Sequence, residues 1–151
     1  TMSNQLNSLE AEDTLIGLVK FTSGCMATIE ATTAARPKDF EASISIVGER
    51  GMAQVGGIAL NMIDSWDFID SNESESEVAK IYSQDVLNGM GYGHLYYLED
   101  LVDAINNNKE IPMKVPESTN ALELVHALYA SVEESGWVSI KDNKRSRYLG
   151  V

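Results

Sequence analysis

Two runs that alternate residue by residue, Glu12 to Phe21 and Cys25 to Thr32, stand on either side of Thr22-Ser23-Gly24. A period of two is that of a β-strand, and a short break carrying glycine returns an antiparallel partner. In the first run Leu15, Gly17, Val19 and Phe21 share one face, and Thr14, Ile16, Leu18 and Lys20 share the other. In the second, Cys25, Ala27, Ile29 and Ala31 oppose Met26, Thr28, Glu30 and Thr32. Cys25 reads here as a small buried hydrophobe, because no neighbouring histidine is available to generate a thiolate.

Thr33 to Phe40, with Arg36-Pro37-Lys38, interrupts the pattern, since proline cannot donate to a ladder. Glu41 to Val47 resumes it with Ala42, Ile44 and Ile46 inward, and Gly48-Glu49-Arg50-Gly51 turns into Met52 to Val55. Gly56-Gly57 can take the positive φ of a primed hairpin turn and return the chain through Ile58 to Ile63 toward Trp66-Asp67-Phe68. Short strands joined by turns predict an antiparallel sheet with one face left open. Ser71 to Glu77, rich in serine and glutamate, reads as a solvated loop. It lacks the glycine and distal glutamate of a calcium loop, so no metal site is expected.

Helical spacing then takes over. His94, Leu95, Leu98, Leu101, Val102 and Ile105 make one stripe, with Glu99, Asp103 and Asn106 facing away. Further on, Asn120 with Glu123 resembles a capping box, Leu122, Val125, Leu128, Tyr129 and Val132 form the stripe, and Gly136 supplies the stop. Trp137 to Ile140 reads as a returning strand, and Lys141 to Arg147 as an exposed basic tail. The fold class expected is therefore α+β, a largely antiparallel open-faced β-sheet with helices packed on one face.

The chain has 151 residues, enough for one domain over 1–151, and a hydrophobic fraction of 44% supports a core. Eleven basic against 23 acidic residues give a formal charge of −12, which repels a polyphosphate backbone, so nucleic acid is not an expected partner. A single cysteine excludes an intrachain disulfide and fits a reducing, cytoplasmic setting. No apolar run approaches the roughly 20 residues that span a bilayer, so no membrane partner is expected. The first residue is Thr1 and a strand pattern follows closely, which points to a piece of a longer protein.

The richest chemistry lies in Gly91-Tyr92-Gly93-His94, where a glycine turn meets the start of an amphipathic helix. A helix amino terminus presents unpaired N–H groups to an anionic oxygen, and a neutral imidazole there can bond a hydroxyl. His94 reads either as that ligand group or as a packed end residue. Tyr92 is harder to bury in the turn and reads as cleft-facing, whereas packing is the default for Tyr96 and Tyr97. Arg36 and Lys38 could clamp a phosphate or carboxylate, or stand as an exposed surface pair. His126, among apolar neighbours, reads as structural. Gly89, Gly91 and Gly93 lack the preceding strand and the spacing of a dinucleotide loop.

Glu12-Asp13-Thr14, Lys20-Phe21 with Gly24, Ala27-Thr28-Ile29-Glu30-Ala31, Gly48-Glu49-Arg50-Gly51, Gly93-His94 with Asp100 and Ala104-Ile105, and Ala121-Leu122-Glu123-Leu124 recur in this order. Together they resemble the carboxy-terminal domain of the glucose-fructose oxidoreductase / inositol dehydrogenase (Gfo/Idh/MocA) family. Within it, Ser43 to Gly48, Val55 to Asn61 and Trp66-Asp67-Phe68 resemble the branch that oxidises the 3-position of UDP-N-acetylglucosaminuronic acid. The resemblance implies an amino-terminal Rossmann domain that binds NAD or NADP and is absent from this chain. It also implies catalytic groups encoded upstream and association into a homo-oligomer through the sheet face. By the same resemblance Tyr92, His94, Arg36 and Lys38 are the expected substrate-binding residues, facing a sugar or sugar nucleotide, and no cofactor is expected on this chain itself. A stand-alone, non-catalytic binding or dimerisation module is the alternative.

Overall fold

The computed structural model describes residues 1–3, 10–87 and 89–149. The chain divides into two compact units, Thr1–Ala34 with Met113–Val151, and Ala35–Pro112. The α+β class expected from the sequence is observed, as two three-stranded antiparallel sheets and three α-helices.

In the first unit β1 (Met2–Ser3), β2 (Thr14–Lys20) and β3 (Met26–Thr32) form a sheet in that order. β2 and β3 pair from Thr14 with Thr32 to Lys20 with Met26. The connecting turn closes by the Phe21 N–H donating to the Cys25 carbonyl at 2.9 Å, with Gly24 at φ 94°. Burial follows the alternation. Leu15, Gly17, Val19, Ala27 and Ile29 are half-buried, while Ile16, Leu18 and Met26 are exposed on the other face. Cys25 corrects its expectation: it lies in the turn just before β3 and is exposed, beyond the reach of the pleat that would have buried it.

The helix of this unit, α3 (Val115–Glu134), begins five residues ahead of the Asn120 expected as its cap. Glu117 accepts from the N–H of the actual cap, Lys114, at 3.1 Å, the part expected of Glu123 toward Asn120. Its end is set by Ser135, which takes the left-handed conformation at φ 54°, while the Gly136 N–H closes on the Ser131 carbonyl at 3.1 Å. Large apolar residues do not mark its buried line. Ala127 and Ala130 are buried, whereas Leu122, Val125 and Val132 remain exposed. Small residues permit close approach: Leu128 Cδ2 stands 2.7 Å from where a Cβ on Gly17 would be, so this helix packs on the Gly17 face of β2.

Trp137 to Ile140 forms no strand; a single 3-10 turn covers Ile140–Asp142. The basic tail Lys141 to Arg147 is exposed as expected except at Ser146, and it is tied to α3. Ser146 is buried, its hydroxyl donating to Glu133 at 2.6 Å and its N–H to His126 Nδ1 at 3.3 Å. Lys144 pairs with Glu134 at 2.5 Å and Arg147 with Glu133 at 3.1 Å. The tail thus sits on α3 because that helix offers two adjacent carboxylates, and His126 has the structural role expected of it.

In the second unit β4 (Ile44–Gly48), β5 (Gly51–Gly56) and β6 (Met62–Phe68) are ordered 4-5-6. Gly48 pairs with Gly51, leaving Glu49 and Arg50 as the two-residue loop expected there. Ile44 and Ile46 are exposed rather than inward, as is every residue of this edge strand. Between β5 and β6 the register slips by one: Gln54 faces Ser65 and Val55 faces Ile63, so Asp64 forms a bulge. The Asp64 carboxylate then fills the space beside Gly56 that any side chain would need. The hairpin expected at Gly56-Gly57 is wider than a primed two-residue turn. β6 starts only at Met62, with Gly57 at φ 85° and Leu60 at φ 54° inside the loop.

Ser71 to Glu77, expected as a loop, contains the start of α1 (Glu75–Tyr82). Ser74 and Glu77 form a capping box: the Ser74 hydroxyl accepts from the Glu77 N–H, and the Glu77 carboxylate accepts from the Ser74 N–H at 2.8 Å. The same serines and glutamates that read as solvated therefore start a helix. Ser83 Oγ accepts from the Ile63 N–H at 2.9 Å and Glu75 from the Trp66 N–H at 3.3 Å, which seats this helix on β6 with Val78 buried. α2 (Gly93–Asn106) matches the expected helix, but Ala104 is its buried residue and Leu95, Leu98, Val102 and Ile105 are exposed.

Candidate functional site

Every sequence-predicted site residue falls in the unit Ala35–Pro112, where the turn at residues 57–61 contacts segments next to them. On one side of this turn the Ala42 N–H donates to the Gly57 carbonyl at 2.8 Å, anchoring the end of the loop that carries Arg36 and Lys38. On the other, the Gln84 N–H donates to the Asn61 carbonyl at 2.9 Å and the Asn61 Nδ2 amide donates back to the Gln84 carbonyl at 2.7 Å. A Cβ placed on Gly89 would stand 3.6 Å from Ile58 and 3.9 Å from the Asp39 carboxylate, so the segment leading to Tyr92 passes beside both.

Gly91 explains why glycine is required before Tyr92. Its φ of 58° lies in the left-handed region, and a Cβ there would come within 2.9 Å of Ala59. Tyr92 then serves as the N-cap of α2 without a side-chain cap bond, and no acidic residue occupies the first turn. No carboxylate of the first turn therefore offsets the positive end of the helix dipole. His94 is exposed in that first turn and Tyr92 is half-buried, with its ring 6.2 Å from that of Tyr96 and tilted by 42°. Arg36 is exposed and donates to the Ala35 carbonyl at 2.7 Å; Lys38 is exposed as well.

Asn61 and Gln84 escaped the expectations drawn from sequence, and Tyr96, expected to pack, is exposed instead. The Tyr96 hydroxyl donates to Gln84 Oε1 at 3.1 Å, and the Asn61 Oδ1 accepts from the Ala59 N–H at 3.1 Å. The signal for Asn61 is its residue type close after Gly56-Gly57, a short side chain with one donor and one acceptor that can close a turn. Gln84 gave no signal, because its partners are distant in sequence.

The glycines around Tyr92 do not make a dinucleotide cradle. Gly91 is accounted for by Ala59, an added Cβ on Gly93 would meet open space, and α1 with its following loop separates them from β6. Among the described residues no group of three histidine, cysteine or carboxylate side chains is placed to hold a metal ion, and no helix is long and apolar enough to cross a membrane.

The profile described as "Oxidoreductase family, C-terminal alpha/beta domain" (Gfo/Idh/MocA) matches residues 2–140. This chain belongs to that family. Among solved structures, the Gfo/Idh/MocA domain resembles the WlbA dehydrogenase of Bordetella pertussis, determined with NADH and UDP-GlcNAcA, at 28% identity and a TM-score of 0.78. It also resembles the WlbA dehydrogenase from Chromobactrium violaceum, determined with the same two ligands, at 29% identity and a TM-score of 0.73. In both cases 89% of this chain is covered, and it spans 38% and 37% of those proteins' lengths. No match emerged among curated protein sequences.

Proposed function

We propose that this chain is the substrate-side and oligomerisation domain of an NAD(P)-dependent, cytoplasmic dehydrogenase acting on a sugar nucleotide, with the 3-hydroxyl of UDP-N-acetylglucosaminuronic acid as the favoured target. The nicotinamide cofactor accepts hydride from the secondary alcohol in such enzymes, and the residues here do not fit it. They fit the substrate. The supporting observation is the convergence of the Arg36–Lys38 loop and the Tyr92–His94 turn on residues 57–61, beside a helix terminus without a cap.

In this reading the exposed Arg36 fork and Lys38 take the carboxylate or pyrophosphate, His94 bonds a sugar hydroxyl, and the Tyr92 ring supplies an apolar face with a polar tip. The exposed apolar side of β2 and β3, with Ile16, Leu18 and Met26, supports association with a second copy, and the bare stripe on α2 supports cover by a further domain of the parent.

Titrating the isotope-labelled chain with UDP-N-acetylglucosaminuronic acid tests this. Shifts at Tyr92 and His94, weakened in Arg36→Ala and His94→Ala, are expected. Saturating sugar nucleotide that leaves both residues unmoved rejects the substrate-side assignment.

A further inference from the structure

We propose that Asn61 and Gln84 are positioning residues that hold Tyr92 and His94 in place by tying the 57–61 turn to the first turn of α2. This rests on the reading of Tyr92 and His94 as substrate-facing, and it assigns the task of orienting them to two side chains that need not touch substrate.

The connection is continuous. Asn61 accepts from the Ala59 N–H through Oδ1 at 3.1 Å and donates to the Gln84 carbonyl through Nδ2 at 2.7 Å, while its own carbonyl accepts from the Gln84 N–H at 2.9 Å. Gln84 passes the link on: its Oε1 accepts from the Tyr96 hydroxyl at 3.1 Å. Tyr96 lies one turn into α2, where its N–H donates to the Tyr92 carbonyl at 3.1 Å and its ring meets that of Tyr92. A second tie runs parallel, because Gly91 lies against Ala59, the residue whose N–H Asn61 holds.

The chemistry limits what can stand at each position. At 61 a short side chain must accept with one atom and donate with the other, which asparagine does and aspartate does not. At 84 only an acceptor is used, so glutamate can replace glutamine. The tie matters because α2 starts without a side-chain cap, and an uncapped first turn frays unless something else anchors it.

Amide hydrogen exchange on the labelled chain, paired with titration by UDP-N-acetylglucosaminuronic acid, tests the proposal in Asn61→Asp, Gln84→Met and Gln84→Glu. Exchange at the Tyr96 amide should accelerate about three- to tenfold in Gln84→Met and Asn61→Asp, with Gln84→Glu restoring it. Protection of α3 should stay unchanged in all three, reporting an intact fold. Affinity should fall by a similar factor and recover in Gln84→Glu. Unchanged Tyr96 exchange in Gln84→Met, or a Gln84→Glu chain no better than Gln84→Met, overturns the proposal. Should the sugar nucleotide bind none of the chains, the substrate reading fails, and the exchange data still decide whether the tie exists.

Discussion

The Tyr129 hydroxyl on α3 donates to the Glu12 carboxylate, joining the strand-side segment ahead of β2 to the helix that packs on it. That bond, with burial and the negative charge of Glu12 behind it, pushes the phenol up to about 12 from an ordinary value near 10.0. A raised folded value stabilises fully below the unfolded value and is lost as pH climbs between the two, so this contribution should disappear from about pH 10 to about pH 12. Tyr129 should therefore ionise late in a near-ultraviolet phenolate titration, and Glu12→Gln should lower its midpoint toward the ordinary value near 10.0. Identical phenolate titrations of the unmodified chain and Glu12→Gln would rule the bond out.

The carboxyl-terminal tail should detach in acid. The Ser146 hydroxyl first, then the Arg147 donors, hold the Glu133 carboxyl below the usual carboxylate range. A lowered folded value gives stabilisation that is present above the ordinary carboxylate range and lost as pH falls through the lowered value. Protection factors at the Ser146 and Arg147 amides, taken against the intrinsic exchange rate at each pH, should fall on acidification ahead of global unfolding, and Glu133→Gln should show low protection already at neutral pH. Equal protection in Glu133→Gln and the unmodified chain at pH 7 would contradict this.

Gly91→Ala should destabilise by about 1–2 kcal/mol, since it sets a side chain at φ 58° and drives its Cβ to within 2.9 Å of Ala59. The resonances of Tyr92 and His94 should move with it, whereas those of α3 should not. Thermal melting and a backbone correlation spectrum check both parts.

Gly17→Ala presses on the end of a single flexible side chain, Leu128 Cδ2 at 2.7 Å, in backbone that any residue adopts. The expected cost is about 1 kcal/mol, read from denaturant midpoints, and the same substitution made in a Leu128→Ala chain should cost less, since the space is vacant there. A Gly17→Ala chain as stable as the original would show that α3 packs less closely on β2.

Ser74→Ala removes the hydroxyl that accepts from the Glu77 N–H and should cost about 1 kcal/mol, with the loss confined to α1 and its seat on β6. Replacement by Asp should retain most of the stability.

Much of this fold could be read along the chain because it depends on neighbours in sequence. Alternation over Thr14 to Lys20 and Met26 to Thr32 specified both strands, their turn and their two faces, and the Gly91-Tyr92-Gly93-His94 turn was correctly placed against a helix. The capping serine of α1 was also present in the sequence, but a run of serines and glutamates has the composition of a solvated loop, and only the pairing of Ser74 with Glu77 separates the two.

Tertiary structure alone decided which residues became buried and which became hubs. Ala104, Ala127 and Ala130 lie inside while their larger neighbours stay exposed, because close approach depends on what faces a helix. The convergence on residues 57–61 arises from bonds linking Gly57 to Ala42 and Asn61 to Gln84, between segments that periodicity treats as independent. A residue's local pattern records which conformation its own backbone prefers. The identity of its partners is set by chain folding back on itself, which a one-dimensional pattern does not encode.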